Sequence, residues 1–195
     1  MEGTPNTPQH VPCVVCLGFF DGVHLAHQAL LRAAKQEGER LGLPVCAHTF
    51  DHAPGTKGFE LTTLAQREAL LKRYGADMVS VSEFNDTMRR MRGDDFFRDV
   101  VLGCLNARHV VCGDDHRFGY MGGWGVKELR TLCEEAGIGL TVVAQVSLPD
   151  GQRISSTAIR RALQEGNTAL AERMLGRPFA SPPAKNTLAL FPKTE

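Results

Sequence analysis

The sequence has no excess of charge of either sign: 22 lysines and arginines balance 22 aspartates and glutamates. That balance makes the chain a poor candidate for non-specific binding to nucleic acid or to an anionic membrane surface, since both reward net positive charge. Long hydrophobic runs are missing too. None approaches the roughly 20 residues a helix needs to cross a bilayer, which excludes a membrane-spanning class. Residues 1–10 lack the basic start and apolar core of a secretory leader and read as a Pro-containing arm. The six cysteines, at positions 13, 16, 46, 104, 112 and 133, lack the regular spacing of a disulfide framework. Internal repeats are absent as well. The expectation is a cytoplasmic protein with neither nucleic acid nor membrane as partner.

What is present is ordinary globular material. The chain has 195 residues, 43% hydrophobic and 23% charged, enough for one domain plus a tail. Cys13 and Cys16 form a C-x-x-C inside a valine-rich run that reads as a buried strand. Residues three apart on a strand point to opposite faces, so the two thiols are expected as small buried apolar groups, not as a chelating or redox pair.

Short apolar runs alternate with helix-periodic segments. Strands are expected at Val11–Leu17, Pro44–Phe50, Met78–Val81, His109–Cys112 and Leu140–Val146. Helices are expected at Leu25–Leu41, Thr63–Tyr74, Gly93–Leu105, Val126–Ala136, Ser156–Gln164 and Thr168–Leu175. Thr63 and Gln66 have capping-box form, and Gly42 stops the first helix. Asp51–Glu60 and the glycine-rich Gly113–Gly125 read as loops. This alternation predicts an α/β, doubly wound, Rossmann-like parallel sheet over residues 11–176, followed by a tail or truncated linker at 177–195. Ligands of such sheets bind at the carboxyl ends of the strands, which directs attention to the loops after the first and fourth strands.

The first of those loops is Gly18-Phe19-Phe20-Asp21-Gly22-Val23-His24-Leu25-Ala26-His27. His24 and His27 share one face at a helix N-terminus, where free amides and the helix dipole attract an anion. Two imidazoles there suit a phosphate; a chance surface pair fits the spacing as well. A metal site would need a further ligand, and none is marked out locally. Asp21 is open between orienting the turn, capping the helix and helping to position a metal. Ser155, Ser156 and Thr157 place hydroxyls at another helix start, with Arg160 one turn later. They suit a pyrophosphate or, more plainly, an N-cap with a solvated arginine.

Gly18–His27 resembles the G-x-F-D-G-x-H-x-G-H signature of the nucleotidyltransferase superfamily, in the form used by bacterial FAD synthases. Leu61-Thr62-Thr63 and Gly75-Ala76-Asp77 resemble that family's L-T-T and G-x-D segments. Gly113-Asp114-Asp115-His116-Arg117-Phe118-Gly119 resembles its G-x-D-F-x-F-G, and Ile154–Arg160 matches I-S-S-T-x-I-R. Leu175-Gly176-Arg177-Pro178-Phe179 resembles the L-G-R-P-Y that precedes the family's riboflavin kinase domain. The resemblance implies an FMN adenylyltransferase that moves AMP from ATP to FMN, giving FAD and pyrophosphate, with Mg2+ accompanying ATP. It implies His24, His27 and Asp21 as the catalytic group. Nucleotide contacts fall to Gly18, Phe19, Phe20, Gly113, Asp115, Ser155, Ser156, Thr157 and Arg160, and acceptor contacts to Phe50 and Phe118. No riboflavin kinase activity is expected from these residues, so FMN would come from a separate riboflavin kinase.

Three departures qualify the likeness. Ala26 stands where the family has Gly, His116 where it commonly has Phe, and Asp51-His52-Ala53-Pro54 replaces the usual x-P-H-P after the second strand. They keep two alternatives in view: a nucleotidyltransferase for another small phosphate acceptor, and a non-catalytic nucleotide- or flavin-binding module.

Overall fold

The computed structural model describes residues 11–53 and 58–180. The expected N-terminal arm, Pro54 and the tail from Ser181 onward lie outside the described residues.

Five strands form one parallel sheet: β1 Cys13–Leu17, β2 Val45–Phe50, β3 Met78–Ser82, β4 Ala107–Gly113 and β5 Gly139–Val143, in the order β3-β2-β1-β4-β5. The helices are α1 Leu25–Leu41, α2 Leu64–Arg73, α3 Asp86–Arg90, α4 Gly93–Asp95, α5 Val126–Glu135, α6 Ser156–Gln164 and α7 Thr168–Leu175. The strand order reverses between β1 and β4, so a crevice opens beyond the carboxyl ends of those two strands.

The sheet is buried on both faces, which explains its continuous apolar runs. Val14 and Cys16 pack with Leu30, Leu31 and Ala34 of α1. Cys13, Val15 and Leu17 face the other way, onto Phe96, Phe97, Val100, Val101 and Leu129. The two thiols of the C-x-x-C therefore belong to opposite cores, as their strand placement predicts. All six cysteines are free thiols. A third core, with Leu61, Ile154, Ile159, Met174 and Leu175, joins α6 and α7 to the segment before α2.

Local signals set the element ends. Thr63 Oγ1 accepts from the Gln66 amide at 3.2 Å while the Gln66 side chain accepts from the Thr63 amide at 2.9 Å, completing the capping box. Gly42 ends α1 at φ 68°, a left-handed cap. The expected helix over 93–105 differs in kind: past α4 it runs as a π-helix over Phe96–Cys104, with the Leu105 amide donating to the Val100 carbonyl at 2.9 Å. The wider coil lets the adjacent Phe96 and Phe97, together with Val100 and Val101, all reach the same core. Strand β5 stops at Val143, short of the expected Val146. Contacts with the domain continue past Gly176, where Arg177 donates to the Gly22 carbonyl and the Phe179 amide to Glu172.

Candidate active site

Two clefts open at the carboxyl edge of the sheet and share Leu17, Gly18, Phe19, His116 and Arg117 as a common wall. The first, of about 420 Å3, lies over β1, β4 and β5 and reaches the N-termini of α1 and α6. The second, of about 1110 Å3, lies on the β2 side and is walled by Phe50, Phe84, Phe96 and Phe118.

The turn between β1 and α1 is contorted. Phe20 takes φ 58°, Gly22 φ 78° and Val23 φ 38°, all left-handed. For a non-glycine residue this costs about 1–3 kcal/mol, and only surrounding structure can hold it. The completely buried Phe20 and Val23 side chains provide part of that hold. Asp21 provides the rest. It is 1% exposed and accepts from the Leu61 amide at 2.8 Å, the Thr62 amide at 3.1 Å and the Thr62 hydroxyl at 3.2 Å. Arg160 Nη2 closes the set on the same carboxylate. The turn, the L-T-T segment and the I-S-S-T-A-I-R segment are thus pinned at one buried carboxylate.

His24 is the N-cap of α1, its Nδ1 accepting from the His27 amide at 3.4 Å. That bond makes Nδ1 the acceptor and leaves the proton on Nε2. The His27 ring stacks on the His24 ring at 3.6 Å between centroids, and Phe20 meets His27 edge-on at 5.2 Å. Burial pushes His24 down to about 3, assisted by the charges of Arg177 and Arg160. Burial holds His27 well below the ordinary histidine range, with His24 and Arg67 adding to it. Both imidazoles are neutral at pH 7. His27 Nδ1 is buried and has no hydrogen-bond partner.

The first cleft also gathers Gly113, Asp115, Ser155, Ser156, Thr157 and Arg160. Their free capacity differs from what the motif suggests. Ser155 Oγ accepts from the Ala158 amide at 3.1 Å as the cap of α6, and Ser156 Oγ donates to the Asp21 carbonyl at 2.9 Å. Arg160 is spent on Asp21 and on the Phe59 carbonyl at 2.6 Å. Asp115 is exposed and paired with Arg153. Asp114 accepts from the Gln145 amide at 3.1 Å, tying the β4 and β5 loops together. Thr157 is exposed at the start of α6, and Ala26 lines the cleft from the first turn of α1. Gly18 is required by packing, because a Cβ there would lie 2.9 Å from the Phe20 ring. Phe50 and Phe118 wall the second cleft, and Phe19 lies between the two under the Arg67 guanidinium, 4.3 Å from its centroid.

Sequence reasoning passed over Arg117, Arg153, His48 and Arg67. Arg117 lines both clefts and makes no ion pair among the described residues. It sits within the G-x-D-F-x-F-G likeness, at a position where the pattern leaves the residue type open. His48 lies within an apolar strand and carries no local signal. Among the described residues no group of three or more His, Cys, Asp or Glu is placed to hold a metal ion. The carboxylates of the first cleft, Asp21, Asp114 and Asp115, are each engaged by protein donors. This donor set fits a magnesium ion carried in on a polyphosphate, which needs few protein ligands.

Comparison with known proteins agrees with this geometry. The FAD synthetase family model matches residues 6–158. The bifunctional riboflavin kinase/FMN adenylyltransferase of Escherichia coli K12 is 35% identical over 174 residues, covering 86% of this chain and 55% of the relative. That of Pseudomonas fluorescens is 36% identical over 181 residues, covering 88% and 57%. The chain therefore spans about half the length of these curated relatives. A crystal structure described as a macrolide-efflux protein from Streptococcus pneumoniae superposes with a TM-score of 0.79 at 28% identity, covering 92% of this chain and 60% of the other. With the motifs in order on a parallel sheet and the family model spanning most of the sequence, the chain belongs to the FAD synthetase family.

Proposed function

We propose that this chain is an FMN adenylyltransferase, transferring AMP from ATP to FMN to give FAD and pyrophosphate. The observation that carries the reading is the shared wall at Gly18 and Phe19. A cleft served by two helix N-termini adjoins a cleft walled by aromatic rings. The first suits a triphosphate, the second a flat ring system, and their junction is where the two phosphates would meet.

A phosphate oxygen of FMN attacks the α-phosphorus of ATP, the new P–O bond forms, and the bond to the β-phosphate oxygen breaks to release pyrophosphate. No protein nucleophile takes part. Neutral His24 donates from Nε2 and neutral His27 from one ring nitrogen, supplying hydrogen bonds without a proton transfer to the phosphate. Arg117, and Arg153 released from Asp115, supply positive charge to the departing pyrophosphate. Arg160 and Asp21 act as positioning residues that fix the turn carrying His24. Magnesium, when bound with ATP, neutralises part of the triphosphate charge.

Residues 11–176 form the transferase domain in this reading. FMN arrives as the product of a riboflavin kinase, and six free thiols suit the reducing cytoplasm. Incubation with ATP, magnesium and FMN should yield FAD and pyrophosphate in equal amounts. Binding of ATP without FAD formation would instead mark a nucleotide-binding module.

A further inference from the structure

Two side chains along the acceptor cleft carry a buried polar atom with no protein partner. His48, on β2, is 1% exposed and lines the cleft. Its Nδ1 is engaged with Ser80 Oγ at 3.3 Å, while its Nε2 is buried with no hydrogen-bond partner. His116, on the loop after β4, stacks on Phe118 at 5.7 Å between centroids and 16° between planes. Its Nε2 is likewise buried and unpartnered. Buried polar groups are nearly always satisfied, and an orphan in a cavity is a common mark of a missing partner.

Burial pushes both histidines down to about 4, so each is neutral at pH 7 and offers one donor or acceptor at Nε2. The surrounding walls fix them in place: His48 meets Phe50 edge-on at 5.4 Å and Phe96 at 6.1 Å. The Asp115 carboxylate acts in the opposite sense on His116.

We propose that His48 and His116 are specificity-determining residues for the acceptor, their Nε2 atoms hydrogen-bonding the polar edge of the flavin ring while Phe50 and Phe118 pack on its apolar part. The proposal rests on the FMN reading and refines it. A ring with alternating carbonyl and N–H groups along one edge satisfies both orphans; an unfunctionalised aromatic ring satisfies neither. Because the contacts are to the ring and not to the phosphate, FMN and riboflavin should lose affinity equally when they are removed.

Titration of FMN and of riboflavin, followed by flavin fluorescence, tests this in wild type, His116→Phe, His48→Leu and His48→Gln. ATP affinity measured by calorimetry reports the fold and the first cleft. His48→Leu, whose site lies in the second cleft alone, should weaken both flavins by about fivefold, the scale of one neutral hydrogen bond, with ATP affinity unchanged; His116→Phe should weaken both flavins as much, with ATP affinity free to change because His116 lines both clefts. His48→Gln, which keeps a polar group, should recover most of that loss. Flavin affinities within twofold of wild type in His48→Leu, with ATP binding intact, or in His116→Phe would overturn the assignment. Wild type that binds ATP but no flavin would overturn the acceptor reading itself, and this inference with it.

Discussion

Arg160 donates to the Asp21 carboxylate across 139 residues of chain, and both side chains are buried. This pair holds α6 to the β1–α1 turn. Breaking a buried pair by removing one partner leaves an uncompensated charge, at a cost of about 3–5 kcal/mol. Arg160→Ala should therefore be strongly destabilised in urea denaturation, while Asp21→Asn/Arg160→Met should lose much less than the sum of the single changes. Arg160→Ala with wild-type stability and slower pyrophosphate release would return Arg160 to direct phosphate contact.

The Gly18→Ala variant tests the shared wall. The added methyl would lie 2.9 Å from Phe20 Cζ, and Phe20 is fully buried in a left-handed conformation with no room to retreat. Overpacking of this kind costs about 1–3 kcal/mol, so the melting temperature should fall. Because Gly18 lines both clefts, ATP and flavin affinities should weaken together. Loss of one without the other would show that the clefts are not coupled through this turn.

Much of this arrangement was legible in the sequence where the signal is local. The capping box at Thr63, the Gly42 stop and the valine-rich β1 each depend on a few neighbouring residues. The place of Gly18–His27 beyond the carboxyl end of β1, and of Gly113–Gly119 beyond that of β4, followed from the strand pattern. What stayed hidden depends on long-range partners. The sequence shows hydroxyls at Ser155 and Ser156 but not that a cap and the Asp21 carbonyl claim them. It shows Phe96–Cys104 as helical but not as a π-helix, because the wider coil answers the shape of the core. His48 reads as one polar residue in an apolar strand until the cleft beside it is seen.

Acid should unfold the protein earlier than its carboxylates alone require. His24, His27, His48 and His116 all sit below the ordinary histidine value, chiefly through burial. The unfolded chain binds their protons first, so stability is fully present above about pH 6.5 and falls as pH drops towards the folded values near 4 and 3. Each contributes a slope of up to about 1.4 kcal/mol per pH unit in that window. Urea midpoints measured from pH 7.5 to 5 should decline, and His116→Phe should decline less steeply. A flat profile would mean that these rings bind protons as readily in the folded protein as in the unfolded chain.

Arg117 offers a separation of catalysis from stability. It is exposed, lines both clefts and makes no ion pair among the described residues. Arg117→Ala should leave stability within about 0.5 kcal/mol. The loss of one charge-assisted contact predicts a fall in kcat/KM of roughly 10- to 100-fold. Unchanged kinetics would exclude Arg117 from the phosphate path.

The most direct measurement follows a label on the α-phosphate of ATP through reaction with FMN and magnesium, in wild type and His27→Ala. In wild type the label should move into FAD, with no labelled protein and one pyrophosphate released per FAD. His27→Ala should bind ATP and FMN nearly as before and transfer at least about 100-fold more slowly. Label that remains in ATP, moves to another acceptor, or reaches FAD equally fast in His27→Ala would contradict adenylyl transfer to FMN at this site.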